Sequence, residues 1–126
     1  AAKVMLSQGS GSIINMSSQM GHVGAPNRTL YCTTKHAVEG LTKALGVELA
    51  PNGIRVNAVA PTFIDTPMTR PMFENPEFKK TVVNNIALGH VGTIEDVAAA
   101  VLFLASPAAA MITGESLKVD GGWTAW

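Results

Sequence analysis

Three short apolar runs divide the chain and predict three strands. The first, Ser12–Met16, is β-branched and follows the glycines at positions 9 and 11, which is typical of a strand buried in a parallel sheet. The second, Ile54–Ala60, is closed by Pro61, which cannot continue a sheet ladder. The third, Ser116–Val119, precedes an Asp-Gly-Gly turn. The runs lie far apart in sequence, so the segments between them must carry the connections.

Those segments show helical patterning. Residues 31–50 are predicted as one long helix, which Pro51-Asn52-Gly53 ends. Two stripes run along it. One can pack on a sheet and shares the face of Tyr31 and Lys35; the other is small-sided and would let a second helix approach closely. The first stripe contains Val38, Leu45 and Leu49, and the second Ala37, Leu41 and Ala44.

Two further helices and one long connection complete the pattern. Ala1–Gln8 is expected to be the end of a helix that Gly9 stops, so we expect a fragment or a processed chain. Thr93 with Asp96 three residues later is an N-terminal capping pattern, and the helix it opens is expected to run to about Ala105. Residues 62–92 form a connection rich in proline and glycine. A connection of that length is usually a lid or a binding loop.

A strand, a long helix and a second strand form a βαβ unit, which implies a parallel pair with a right-handed crossover. The fold class is therefore α/β. No internal repeat, low-complexity tract or linker interrupts residues 1–126, so the pattern predicts a single domain.

Composition narrows the class of protein. The chain is 47% hydrophobic, and its nine basic and nine acidic residues leave no net charge, so it lacks the electrostatic footprint of a nucleic-acid binder. Its one cysteine, Cys32, rules out an internal disulfide and favours a reducing compartment such as the cytoplasm. The uncharged stretch 97–114 raises the alternative of a membrane segment. Ser106-Pro107 divides that stretch and favours a buried helix and a loop.

Candidate chemistry gathers around the first strand. Tyr31 and Lys35 are four residues apart, so on a helix their side chains lie on one face. A phenol beside an ammonium is a plausible acid–base pair, because the positive charge favours the phenolate. Ser17 and Ser18 end the first strand, and ligands bind at the carboxyl ends of strands in open α/β sheets. We therefore expect an active site there.

These residues resemble the short-chain dehydrogenase/reductase family. Its members carry a serine thirteen residues before the tyrosine of a Tyr-x-x-x-Lys motif, and Ser18, Tyr31 and Lys35 have that arrangement. The resemblance covers essentially all of this chain but only the C-terminal half of the family's. It implies the last three strands of a Rossmann-type, doubly wound parallel sheet with flanking helices. The first of them would expose a bare edge.

The resemblance also implies roles. The tyrosine exchanges a proton with the reacting oxygen, the serine hydrogen-bonds that oxygen, and the lysine favours the phenolate and holds the nicotinamide ribose. The cofactor is NAD or NADP, and hydride transfer interconverts a carbonyl and an alcohol. Alone, Tyr31 could be an amphipathic core residue, Lys35 a solvated helix lysine, and Ser17 and Ser18 loop caps.

A second segment, residues 57–66, resembles the family's N-x-V-x-P-G-x-I-x-T sequence that lies over the nicotinamide. The resemblance makes Pro61, Ile64 and Thr66 cofactor-binding residues, together with Tyr31 and Lys35 of the first segment. Thr62 replaces the usual glycine, which bears on the local backbone shape. An ordinary proline turn at a strand end is the alternative. Asp120-Gly121-Gly122 matches the family's closing motif and is expected to be a structural turn with positive φ.

Several other site types find no support in the sequence. The glycines at positions 9 and 11 precede a strand instead of following one, so the dinucleotide fingerprint is absent. Ser18 is flanked by Met16 and Met20, not by the glycines of a nucleophile elbow. The three histidines show no metal-ligand spacing, so no metal is assigned.

Two hypotheses remain. In the first, the chain is the catalytic half of a dehydrogenase whose dinucleotide-binding half is absent from these residues. In the second, it is a non-catalytic fragment that keeps only the family's assembly surfaces, namely the long helix from Tyr31 and the C-terminal strand, which build homodimers and homotetramers in similar proteins. The intact set of Ser18, Tyr31 and Lys35 favours the first for the parent protein. The isolated chain is expected to be inactive. By resemblance the substrate is a small sugar or polyol, or a 3-oxoacyl thioester, with a preference for the former.

Overall fold

The computed structural model describes all 126 residues and contains four helices and three strands, with short 3-10 turns between them. In chain order the elements are α1 (Ala2–Gln8), β1 (Gly11–Met16), α2 (Thr29–Leu49), β2 (Ile54–Pro61), α3 (Pro76–Asn85), α4 (Ile94–Ala105) and β3 (Ser116–Val119). All three predicted strands are present, but two extend one residue beyond their predicted bounds: β1 begins at Gly11, and β2 continues through Pro61, which pairs opposite Val119. No helix combines the length and the apolar composition that a membrane crossing needs.

The three strands form one parallel sheet in the order β1-β2-β3. The register runs from Gly11 opposite Ile54 to Met16 opposite Val59, and from Ala58 opposite Ser116 to Pro61 opposite Val119. β1 pairs only with β2, so its outer edge is unpaired, as predicted. The α/β class with a parallel sheet and flanking helices is confirmed.

Alternating side chains of β2 supply the core on both faces of the sheet. Ile54 and Val56 pack with Leu49 of α2, and α1 adds partly buried apolar side chains to this cluster. Val59 points to the other face, where it packs with Leu104 of α4. Because period-two alternation sends neighbouring residues to opposite faces, β2 is buried along nearly its whole length.

The face of α2 that meets the sheet differs from the predicted stripe. Apart from Leu49, which belongs to the predicted stripe, its buried residues are polar or small, whereas Val38 and Leu45 are only half-buried. Gly46 explains the difference: a Cβ there would lie 2.6 Å from the backbone nitrogen of Gly114, so the helix sits directly on the chain before β3. The predicted small-sided stripe faces outward, with Leu41 half exposed. The buried residues of α2 are Glu39, Thr42, Gly46 and Leu49.

Helix ends follow local chemistry. The Thr93 hydroxyl accepts a hydrogen bond from the Asp96 N–H, and the Asp96 carboxylate accepts one from the Thr93 N–H, which is the predicted capping arrangement. α2 begins at Thr29, two residues before the predicted start, and Ala50 lies in a 3-10 turn beyond its end. The backbone of α2 therefore already turns helically before Tyr31.

An aromatic cluster holds the long connection between β2 and α4. The ring of Phe63 lies 6.2 Å from that of Phe73, 5.7 Å from that of Phe78 and 5.8 Å from that of Trp123, measured between centroids. The first two contacts are edge-to-face, the arrangement that aromatic quadrupoles favour. The cluster joins the start of the connection, its helix α3 and the C-terminal turn, so the segment after β2 has a fixed position.

The turn after β3 is built around Asp120. Its carboxylate accepts hydrogen bonds from the N–H of Gly122 at 2.9 Å, and from the N–H and hydroxyl of Thr124 at 3.0 and 2.7 Å. Gly121 and Gly122 have φ of 57° and 88°, as predicted. Burial acts to raise the pKa of Asp120, but these hydrogen bonds and the charge of Lys118 together outweigh it and hold that pKa below its ordinary value.

We expect Asp120→Asn to lower the Tm of the protein at neutral pH, and the difference in Tm from the wild type to become smaller at acidic pH. The folded-state pKa is depressed, so ionised Asp120 stabilises the fold above the unfolded-state pKa of about 3.9. That stabilisation is lost as pH falls through the folded-state pKa. Thermal melts of both proteins, from neutral pH to below about pH 4, measure the gap in Tm. A gap that stays constant over this range would contradict the account.

Candidate active site

The end of β1 places two serines in the interior. Ser17 and Ser18 are both buried, but only the Ser18 side chain has hydrogen-bond partners, because the Ser17 hydroxyl has none. Its hydroxyl accepts from the N–H of Met20 at 3.2 Å and so caps the 3-10 turn of residues 19–21. It also donates to Oε1 of the buried Gln19 at 2.8 Å. Ser18 is therefore held in one orientation by its own loop.

The first turns of α2 bring Tyr31 and Lys35 to the same strand end. The ammonium of Lys35 donates to the carbonyl oxygen of Met16 at 2.9 Å, and its Nζ lies 5.6 Å from the centroid of the Tyr31 ring. The hydroxyl of Tyr31 has no hydrogen-bond partner in the chain, and the side chain is 44% exposed. Lys35 therefore spans from β1 to Tyr31, and the phenol is free to meet a ligand.

Ser18 and Tyr31 line a common cavity of about 340 Å³. Its floor is the loop after β1, and its opposite wall is the connection after β2. Small-molecule sites commonly combine apolar walls with a few convergent polar groups, and this cavity has that character. The remaining lining residues are Gln19, Met20, Arg28, Thr62, Phe63, Met68, Thr69 and Met72.

Pro61, Ile64 and Thr66 do not line this cavity. Together with Met16 they line a separate, almost wholly apolar groove of about 770 Å³, whose other side is α4. Met16 is the residue whose carbonyl oxygen receives the Lys35 ammonium. Ser18 and Tyr31 thus line one space and Pro61, Ile64 and Thr66 line another, while Lys35 lines neither and contacts Met16 at the edge of the second.

Thr62, which occupies the family's usual glycine position, lies in the first space. No positive φ occurs there, so the backbone at this position does not require glycine. Its N–H donates to the carbonyl of Val119 at 3.1 Å, while its hydroxyl is buried without a partner. The substitution adds a buried hydroxyl beside Ser18 and Tyr31 and leaves the course of the chain unaltered.

Comparison with known proteins places this site in a family. A family model described as enoyl-(acyl carrier protein) reductase matches residues 1–124. The chain belongs to the short-chain dehydrogenase/reductase family. L-xylulose reductase of Mus musculus is 44% identical over 125 residues, which are 98% of this chain and 51% of that protein. The 3-oxoacyl-(acyl-carrier-protein) reductase of Thermotoga maritima is 46% identical over 118 residues, or 94% of this chain and 47% of that protein.

Comparison with a solved structure supports the same family. Gluconate 5-dehydrogenase from Burkholderia cenocepacia, in complex with NADP and tartrate, superposes with a TM-score of 0.95 and 33% sequence identity over 99% of this chain. The match covers 49% of that enzyme's chain. This short-chain dehydrogenase/reductase chain therefore spans about half the length of the relatives that it matches.

Sequence reasoning missed a polar cluster beside the site. Nε2 of His22 lies 3.0 Å from Oγ of Ser116 and 3.3 Å from Oε1 of Glu39, and Ser116 donates to that same carboxylate at 3.0 Å. The cluster joins the Ser18 loop, α2 and β3. The one signal for it was a carboxylate at position 39, one turn beyond Lys35, on a helix expected to bury an apolar face.

Proposed function

We propose that this chain is the catalytic half of an NAD(P)-dependent oxidoreductase that interconverts a carbonyl and a secondary alcohol. The observation that carries the proposal is the convergence of Ser18 and Tyr31 on one cavity with Lys35 beside the phenol. Family membership and the names of the relatives, which include reductases and dehydrogenases, support it.

In reduction, Tyr31 donates its phenolic proton to the substrate oxygen as the carbonyl carbon is reduced. The Lys35 charge stabilises the phenolate that remains, because a cation within a few ångströms favours the anionic form. Ser18 supplies a second donor to the same oxygen; its hydroxyl proton, which Gln19 now accepts, is redirected to the substrate. Hydrogen-bond donors directed at that oxygen lower the barrier by stabilising the charge that develops on it.

The residues present fit the nicotinamide end of the cofactor. Pro61, Ile64 and Thr66 line the apolar groove, and Lys35 makes only one hydrogen bond with its three donors, so two remain for a ribose hydroxyl. When bound, NAD(P)H supplies the hydride. We propose that these four residues hold that end, and that the phosphates are held by a dinucleotide-binding half outside these 126 residues.

The proposed substrate class is a small sugar or polyol, with 3-oxoacyl thioesters as the second class. The support is the cavity's modest volume and the L-xylulose reductase and gluconate 5-dehydrogenase relatives, while the 3-oxoacyl reductase relative supports the second class. Met68, Met72 and Phe63 make one wall of the cavity apolar.

The test requires the complete enzyme, by which we mean the polypeptide or complex that holds this chain together with a dinucleotide-binding half. We expect it to oxidise polyols with NAD⁺ or NADP⁺ and to reduce ketoses with the reduced cofactor, measured by nicotinamide absorbance. Absence of turnover across polyols, ketoses, hydroxy acids, oxo acids and 3-oxoacyl thioesters with both cofactors would reject the proposed function.

The isolated chain is proposed to be inactive, because it contains no glycine-rich phosphate-binding loop. The second candidate, a non-catalytic fragment, draws support from the unpaired edge of β1 and from the outward apolar stripe of α2, where Leu41 and Val47 are 50% and 78% exposed. We propose that this stripe contacts a second copy in a homodimer or homotetramer. Tight stoichiometric binding of NAD(P)H to the isolated chain would contradict its inactivity.

A further inference from the structure

The three arginines of the chain differ in what they bind. Arg55 donates to the carbonyl oxygens of Leu104 and Ser106 at 2.8 and 3.2 Å. Arg70 forms a two-point pair with the Asp65 carboxylate, at 2.7 Å through Nε. The guanidinium of Arg28 has neither a hydrogen bond nor a carboxylate partner. It is the one arginine whose guanidinium donates no hydrogen bond within the chain, whereas Arg55 bonds to carbonyl oxygens and Arg70 to a carboxylate.

Arg28 lines the cavity that contains Ser18 and Tyr31, and it is the only charged residue to do so. No aspartate or glutamate shares that lining. A single cation in a concave, partly apolar site concentrates the positive potential there, because low-dielectric walls focus the field. The cavity therefore favours an anionic ligand over a neutral one.

The start of α2 adds to this potential. Arg28 is its N-cap residue, no side chain caps the helix, and no acidic residue lies in its first turn. The first N–H groups of the helix and its dipole are thus uncompensated next to Arg28, although Thr29 and Leu30 themselves lie outside the lining of the cavity. Asn27, the only non-glycine residue with positive φ, turns the chain into the helix at this point.

We propose that the substrate is a small hydroxy acid or oxo acid whose carboxylate binds Arg28 while its reacting oxygen meets Ser18 and Tyr31. This inference rests on the proposed function and narrows its substrate class. A guanidinium offers paired donors that match a carboxylate in a two-point contact. The volume of about 340 Å³ suits a molecule short enough to place both of its ends within one cavity.

The test compares matched pairs of acid and alcohol on the complete enzyme. Glycerate, erythronate and gluconate are each assayed against glycerol, erythritol and sorbitol, in which a hydroxymethyl group replaces the carboxylate. We measure kcat/KM, and competitive binding in the presence of oxidised cofactor. Loss of one charged hydrogen-bonded contact is worth about a tenfold to hundredfold change in affinity. We expect at least one acid to exceed its alcohol by that factor, and Arg28→Gln to remove the preference.

Arg70→Gln is the matched control, because it removes the same charge from an exposed arginine that lies outside the cavity lining. It should leave the acid-to-alcohol ratio unchanged, and Arg28→Lys should restore part of it. If the enzyme turns over but no acid exceeds its alcohol, or if both glutamine variants change the ratio equally, the inference is overturned while the proposed function stands. If no substrate of any class is turned over and no acid binds, both fail.

Discussion

Replacing Tyr31 with phenylalanine should lower kcat of the complete enzyme by about 10²–10⁴-fold, the range that positioned acid–base groups contribute. The variant keeps the ring beside Lys35 and loses only the hydroxyl. Without that hydroxyl no group in the cavity can deliver a proton to the substrate oxygen. Ser18 can hydrogen-bond that oxygen but is not paired with a charge that would stabilise its own anion.

The same substitution should leave the fold intact. The Tyr31 hydroxyl has no partner in the chain and the side chain is 44% exposed, so its removal leaves no buried polar group unsatisfied. Tm should therefore stay at its wild-type value. A variant that keeps wild-type kcat would reject Tyr31 as the acid, and one that loses both activity and Tm would assign it a structural role.

Much of the fold could be predicted because its signals are local. The apolar run before Ser17, the proline after Ala60 and the Thr93–Asp96 cap each act within a few residues, and the structure has the strands and the helix they predict. The spacing of Tyr31 and Lys35 is local too, since four residues on a helix fix a common face. The spacing of thirteen residues to Tyr31 along the sequence favours Ser18 over Ser17, and Ser18 is the serine that lines the cavity.

The remaining features depend on contacts between distant parts of the chain. His22, Glu39 and Ser116 come from a loop, a helix and a strand. No local sequence pattern around any one of them indicates that the other two are its neighbours. The separation of Ile64 and Thr66 from the Ser18 cavity depends on how the chain after β2 turns toward α4. That the Arg28 guanidinium has no carboxylate partner can likewise be seen only when the positions of all the carboxylates are known.

The buried face of α2 was predicted incorrectly in part, and Gly46 shows why. A hydrophobic periodicity gives no indication of which side of a helix a glycine faces, because glycine has no side chain. In the structure Gly46 faces inward, since the backbone of Gly114 occupies the space that a side chain would need. Gly40 lies on the same helix and has no atom within 4 Å of the position its Cβ would take. The sequence does not distinguish the two glycines, but in the structure Gly46 has no room for a side chain and Gly40 does.

This contrast predicts opposite effects of the same substitution. Gly46→Ala should destabilise the protein by about 1–3 kcal/mol, because its Cβ would lie 2.6 Å from the nitrogen and 2.7 Å from the Cα of Gly114, and backbone must move. Gly40→Ala should stabilise it by about 0.5–1 kcal/mol, since alanine costs less backbone entropy in a helix. Urea unfolding of the complete enzyme measures both. A Gly46→Ala variant as stable as Gly40→Ala would show that α2 does not lie directly on the chain before β3. The position of Tyr31 and Lys35 relative to β1 would then need revision, because both residues are on the same helix.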